Sequence, residues 1–161
     1  AYQINGESVQ CDFTSDGYRL PTDWEWEYAA KANQDFQFAG SDNCGTVAWC
    51  GDSSRRGSTR GVGQKKSNGF ELFDMSGNVH EWCWDWYGDY QNLLVPKSKK
   101  QPEILIRKAM YTRGTLQGDY RVYRGGCWNL SPHYARTSAR LANIPELKSP
   151  SVGLRIACSI V

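Results

Sequence analysis

The chain has 161 residues, with 19 Lys and Arg against 17 Asp and Glu, so its formal net charge is only +2. So small a charge sets up no field that would draw the chain to nucleic acid or an anionic membrane, and no apolar run approaches the roughly 20 residues of a membrane span. Seven Trp, nine Tyr and five Phe are ample core material for a chain of one-domain length, and 16 Gly with six Pro point to a loop-rich fold rather than a helical bundle.

The opening, Ala1 to Thr14, is polar and shows no signal peptide. Thr22 followed by Glu25 has the spacing of a capping box, with acids in the first turn where the helix dipole favours them. Trp24, Tyr28 and Lys31 follow at i, i+4 and i+7, so a helix is predicted over Asp23 to Ala32. From Asn33 to Asn68 the text is Gly, Ser, Asn and Asp, which predicts long ordered loops. The loose basic stretch within it, Arg55, Arg56, Arg60, Lys65 and Lys66, has no interleaved aromatic residues and reads as a solvated loop rather than an anion site.

Gly77 to Tyr87 reads as a strand in which Trp82, Trp84 and Trp86 share one face by period two, and that face is expected in the core. Asn92 to Gly118 is an unpatterned insertion carrying Lys97, Lys99 and Lys100. Arg121 to Arg124 and Leu154 to Cys158 are further short strands. One helix, later strands and Gly-rich connections give an α+β class with a small antiparallel sheet. None of the six cysteines, Cys11, Cys44, Cys50, Cys83, Cys127 and Cys158, lies in a C-x-x-C pair, which weakens zinc and thioredoxin-type readings. Cys44 and Cys50 flank a short loop and can pair. Most of the six are expected to be buried free thiols.

Four landmarks in this order resemble the formylglycine-generating-enzyme (sulfatase-modifying factor) family. They are Tyr18-Arg19-Leu20-Pro21-Thr22 with Glu25 to Ala30, Leu72 to Trp82, Arg124 to Asn129, and Gly153-Leu154-Arg155. The resemblance implies that family's variant of the C-type lectin fold over one domain, 1–161. It runs from about Gly17 to the end and lacks the family's usual N-terminal portion, so a fragment or processed chain is expected. In the family's oxidases two cysteines follow the Arg-Gly-Gly landmark and bind substrate or copper, soft sulfur suiting copper(I). Those two positions are Leu130 and Ala135 here, and neither side chain can be a nucleophile or a ligand. Cys127 falls where the family has a core Ser beside Trp128. The related sulfoxide synthases use three histidines, and this chain has only His80 and His133. A non-enzymatic protein is therefore expected.

The stretch Asp74 to Glu81 resembles one that holds a structural calcium in relatives. The resemblance implies side-chain carboxylates from Asp74 and Glu81 and carbonyls from Gly77 and Val79, hard oxygens of the kind calcium prefers. The competing expectation is that Asp74 and Asn78 cap turns while Glu81 pairs with an arginine such as Arg155. No other cofactor is required.

Between Trp128 and Arg155, a frame of Trp128, Asn129, Arg136, Arg140, Pro145, Lys148, Gly153 and Arg155 alternates without period with thirteen other positions. These are Leu130, Ser131, His133, Tyr134, Ala139, Leu141, Ala142, Asn143, Ile144, Leu147, Ser149, Pro150 and Ser151. The layout resembles the variable region of diversity-generating-retroelement proteins, the Treponema variable protein among them. There, randomised adenines in asparagine codons can never yield Lys, Glu, Gln, Met or Trp, and none of these stands at the thirteen positions. The resemblance implies a hypervariable ligand-binding region at about 128–152. It also implies a protein or other surface molecule as partner, and display at the cell surface through an upstream signal or anchor. Variable side chains need loops over a rigid scaffold. If instead Leu141, Ile144 and Leu147 are core residues of a loop that folds inward, burial will show it.

Overall fold

The computed structural model describes residues 1–6, 8–51, 57–88 and 117–159. Arg55, Arg56 and all but Gln117 and Gly118 of the 92–118 insertion, with its lysines, lie outside the described residues.

A hairpin of β1 (Tyr2–Asn5) and β2 (Ser8–Cys11) leads to the two-residue strand β3 (Tyr18–Arg19) and then to helix α1 (Asp23–Lys31). The capping box forms: Thr22 Oγ1 accepts from the Glu25 N–H at 3.2 Å, and Glu25 Oε2 accepts from the Thr22 N–H at 2.8 Å. Arg19 donates to both Glu25 oxygens at 2.7 Å, locking the cap to β3. Ala32 closes the helix in the left-handed region, φ 49°. The face turned inward is Asp23, Trp26 and Ala30, while Tyr28 stays 38% exposed.

A short helix α2 (Cys44–Val47), capped by Asn43, interrupts the predicted loop, and Cys44 and Cys50 are bridged across its far end. The remaining elements are β4 (His80–Trp86), β5 (Arg121–Arg124), a 3-10 turn (Pro132–Ala135), β6 (Leu141–Asn143), β7 (Val152–Leu154) and β8 (Ala157–Cys158). The main sheet has the order β6-β5-β4-β7. Its first three strands pair antiparallel, and β7 adds parallel to β4. The strand expected over Leu154 to Cys158 is thus two strands in two sheets, because β8 leaves to pair with β3. The break falls at Arg155, whose guanidinium turns back to Glu81.

β4 alternates as expected, but the sides are reversed. Glu81, Cys83 and Asp85 are buried, and Trp82, Trp84 and Trp86 are half-buried. The buried carboxylates are tolerated because each is paired. Glu81 accepts from Trp26 Nε1 at 2.7 Å, and Asp85 accepts from the Asp23 N–H at 2.7 Å. The tryptophans instead form the outer face, with Tyr123 edge-on to Trp82 and Tyr2 and Phe13 against Trp84.

Two apolar clusters fill the interior. One joins Trp26, Ala30, Ala39, Met75, Cys83 and Val122; the other joins Phe38, Val47, Ala48, Cys50 and Ala135. A charged knot lies between α1 and β5. Arg124, fully buried, pairs with Asp23 at 2.5 Å and with Glu27, and Arg140 takes the other Asp23 oxygen at 2.7 Å. Burial alone would raise the Glu27 carboxyl, but Arg124 and Lys31 hold it below its ordinary value.

Candidate ligand-binding surface

The segment from Trp128 to Ser151 begins at the turn Gly125-Gly126. Gly126 has φ +70°, and a Cβ there would stand 2.8 Å from the Ala135 nitrogen and the Tyr134 carbonyl. Only glycine lets the main chain of the 3-10 turn pass so close.

Main-chain groups do most of the anchoring from there on. Trp128 N–H donates to the Asn78 carbonyl at 2.8 Å, and Ser76 Oγ donates to the Ala135 carbonyl at 2.8 Å. Thr137 N–H donates to the Gln37 carbonyl at 3.0 Å. Arg124 Nη1 donates to the carbonyls of Thr137 and Ala139 at 3.1 and 2.6 Å. The stretch Leu141 to Asn143, expected as loop, is strand β6 at the sheet edge, held by ladder bonds to β5.

Two frame arginines, Arg140 and Arg155, anchor buried carboxylates, whereas Pro145 and Lys148 are exposed. Asn129 accepts from the Cys127 thiol at 2.9 Å.

None of the thirteen positions is buried. Ser131, His133, Tyr134, Ile144 and Pro150 are exposed, and Leu130, Ala139, Leu141, Ala142, Asn143, Leu147, Ser149 and Ser151 are half-buried. Leu141, Ile144 and Leu147 do not fold into the core. The side-chain hydrogen bonds of the thirteen are local: His133 with Arg136, Asn143 with the Ile144 N–H, and Ser149 with Ser151. Tyr134 (38% exposed) and Ile144 (46%) are the large apolar side chains offered to solvent.

At the positions of the oxidase cysteines, Ala135 is fully buried in the second cluster and Leu130 is half-buried. Cys127 is buried, and that burial raises its thiol pKa, the reverse of what a nucleophilic thiolate needs. His80 is buried against Tyr123, while His133 is exposed in the 3-10 turn.

Asp74, Gly77, Val79 and Glu81 line one cleft of about 580 Å³, together with Phe73, Leu154 and Arg155. Asp74 Oδ2 accepts from the Gly63 N–H at 2.7 Å, and Asp74 Oδ1 is buried with no hydrogen-bond partner, a fitting oxygen for a hard cation. Glu81 fits less well, since Arg155 grips both its oxygens, at 2.8 and 2.9 Å, and Trp26 shares one. Asn78 brackets the Arg60 main chain, accepting at 2.9 Å and donating at 3.2 Å. Among the described residues no group of three or more His, Cys, Asp and Glu side chains is placed to hold a metal.

Sequence reasoning missed the supports contributed by Gln37 and Ser76. Only the Gly125-Gly126 doublet hinted that chain would pass close by. It also missed that Trp49, distant in the basic stretch's own text, is brought beneath Arg60 and Lys65 at 5.3 and 4.0 Å.

Comparison with known proteins matches residues 3–160 to the sulfatase-modifying factor enzyme 1-like domain, a longer match than the one legible from Gly17 onward. In structure the chain is similar to Treponema denticola variable protein 1, with a TM-score of 0.79 and 33% identity over 96% of this chain and 53% of that one. In sequence it is 34% identical to the chaperone protein LppX of Paenibacillus barcinonensis, over 90% of this chain and 50% of that protein. It is 30% identical to the formylglycine-generating enzyme of Thermomonospora curvata, over 88% of this chain and 49% of that protein. The chain thus spans about half the length of these relatives.

Proposed function

Because the chain belongs to the sulfatase-modifying factor enzyme 1-like family, we propose its function from what it keeps of that family's frame. It is a non-enzymatic ligand-binding protein, displayed outside the cell, whose thirteen positions between Leu130 and Ser151 form a binding surface that retroelement-driven substitution diversifies. The observation that carries this reading is that none of the thirteen is buried, while their segment is held by its main chain and by frame residues. Side chains there can change without emptying the core or orphaning a buried polar group, the two main sources of large destabilisation. The ligand is a protein or another surface molecule, met by Tyr134, Leu141 and Ile144 as apolar anchors. Similarity to a solved variable protein supports the same reading.

The test is to sequence the 3′ end of the gene in many sibling isolates. Changes confined to the thirteen codons, with Trp128, Arg136 and Arg155 constant, are expected; uniform sequence or scattered changes would sink the proposal. Similarity to a formylglycine-generating enzyme favours a rival oxidase reading. Leu130 and Ala135 speak against it, and turnover of a sulfatase peptide with added copper would establish it.

A structural calcium ion is proposed at Asp74 with carbonyl oxygens of Gly77 and Val79, Glu81 being shared with Arg155. Calcium at a hundredfold excess over its Kd would then stabilise the fold by about 2.7 kcal/mol. A melting temperature unmoved by EDTA would remove the ion from the account.

A further inference from the structure

The outer face of the main sheet carries a feature that none of the thirteen positions forms. Residues directly opposite on neighbouring strands point to the same face. Trp82 lies opposite Tyr123, which lies opposite Leu141; Trp86 lies opposite Arg121, which lies opposite Asn143. Two proposed variable positions therefore continue, in register, a row of aromatic and cationic residues outside the variable set.

Within that face a notch of about 180 Å³ opens, lined by Leu20, Trp82, Cys83, Trp84, Arg121 and Pro145. Its rim at Pro145 belongs to the turn closed by the Leu147 N–H donating to the Ile144 carbonyl at 3.1 Å, so two more of the thirteen flank it. A small-molecule site has about 300–1,000 Å³, so this notch has room for one side chain rather than a metabolite. Its walls are indole and aliphatic. Arg121 is the one charged side chain among the lining residues, with its guanidinium 4.6 Å from the Trp84 ring and 3.7 Å from the Trp86 ring. One guanidinium nitrogen donates to the Trp84 carbonyl, which fixes the cation in place. Burial disfavours that charge, and Asp85 from the opposite side of the strand and the Tyr2 hydroxyl group offset it only in part. A carboxylate arriving from the open side would restore what desolvation takes away.

We propose that this notch is a constant anchor subsite at the margin of the variable surface, taking a large apolar side chain of a protein ligand with a neighbouring Asp or Glu carboxylate on Arg121. The proposal rests on the ligand-binding reading above and adds to it a fixed half. The notch holds a common acidic-apolar element, and Leu141, Asn143, Ile144 and Leu147 around it set which ligand is accepted. A few buried anchors with a tolerant surround are how protein interfaces distribute their energy.

The test uses the chain labelled with ¹⁵N at its tryptophan indoles and two probes, Ac-Asp-Leu-Asp-amide and Ac-Lys-Leu-Lys-amide. The acidic probe should move the Trp82 and Trp84 indole signals saturably and bind at least tenfold tighter than the basic one. Arg121→Gln should abolish that preference. If that variant does not fold, Pro145→Glu at the exposed rim should weaken the acidic probe and spare the basic one. Equal response to both probes would overturn the assignment, as would a response only to a neutral sugar such as methyl glucoside, or none. A second arm separates this from the underlying reading. Variability confined to the thirteen codons in sibling genes, with a silent notch, would sink the subsite and leave the variable surface standing.

Discussion

The knot around Arg124 and the segment from Leu130 to Ser151 are both rich in polar groups, and they treat side chains in opposite ways. In the knot the side chains are the structure. Asp23, Glu27, Arg124 and Arg140 are bound to one another at fixed geometry, and Arg124 is 1% exposed. In the segment the main chain is the structure, and the side chains of the thirteen positions bond only to near neighbours or face solvent. The two regions meet where Arg124 holds the carbonyls of Thr137 and Ala139. A carbonyl is the same on every residue, so the knot can grip a segment whose side chains change. Under the proposed function, fold stability and ligand choice then fall on different atoms.

The harshest way to break that division is Arg124→Met. It takes their shared partner from buried Asp23, which keeps Arg140, and from half-buried Glu27, which keeps Lys31, and it frees two carbonyls; truncating one partner of a buried pair costs about 3–5 kcal/mol. Urea unfolding should show a loss of that size, or no folded protein; a loss under 1 kcal/mol would mean the knot does not hold the segment.

Acid should probe the same frame. Burial lowers the His80 pKa to about 4, against an opposing hydrogen bond with the Arg124 main chain. The unfolded chain, with an ordinary imidazole near 6.5, then binds more protons between those values. Stability from the neutral ring is full above about pH 6.5 and falls as pH drops toward 4. At about 1.4 kcal/mol per unit of pKa difference, the loss is on the order of 3 kcal/mol by pH 4. Melting curves from pH 7 to 4.5 should show the decline, and His80→Gln should flatten it.

Gly126→Ala tests the close passage under the 3-10 turn. A methyl group would meet the Tyr134 carbonyl at 2.8 Å from a residue already at φ +70°, a strain of about 1–3 kcal/mol. Thermal melts should register it, and a neutral outcome would show that the turn can lift away.

The smallest effect is expected where the sequence is proposed to vary. Tyr134→Ser and Ile144→Asn should each stay within about 0.5 kcal/mol of the parent in urea unfolding, as exposed substitutions do. A loss above 2 kcal/mol at either would transfer that side chain from the binding surface to the frame.

Much of this was legible in the text. Thr22 and Glu25 announced α1 because a cap is a local event, settled by residues three apart. The alternation of β4 was equally plain. The family landmarks fixed the fold, and the unpatterned apolar residues from Leu130 to Leu147 marked the candidate surface, because a segment pinned by its main chain leaves no periodic trace in its side chains.

Tertiary structure alone decided which side of β4 is the core. Period two separates Trp82, Trp84 and Trp86 from Glu81, Cys83 and Asp85 without saying which set faces inward. Hydrophobicity favours the tryptophans. The acids take the core because their partners lie far along the chain: Arg155 is 74 residues from Glu81, and the Asp23 N–H is 62 residues from Asp85. The same holds for the split of Leu154 to Cys158 between two sheets and for β6, whose strand state depends on β5 lying beside it. The notch beneath Pro145 likewise exists only because Leu20, Trp84 and Arg121 converge there. Short-range physics writes caps and alternation into the sequence, whereas a buried charge becomes admissible only when the fold delivers its partner.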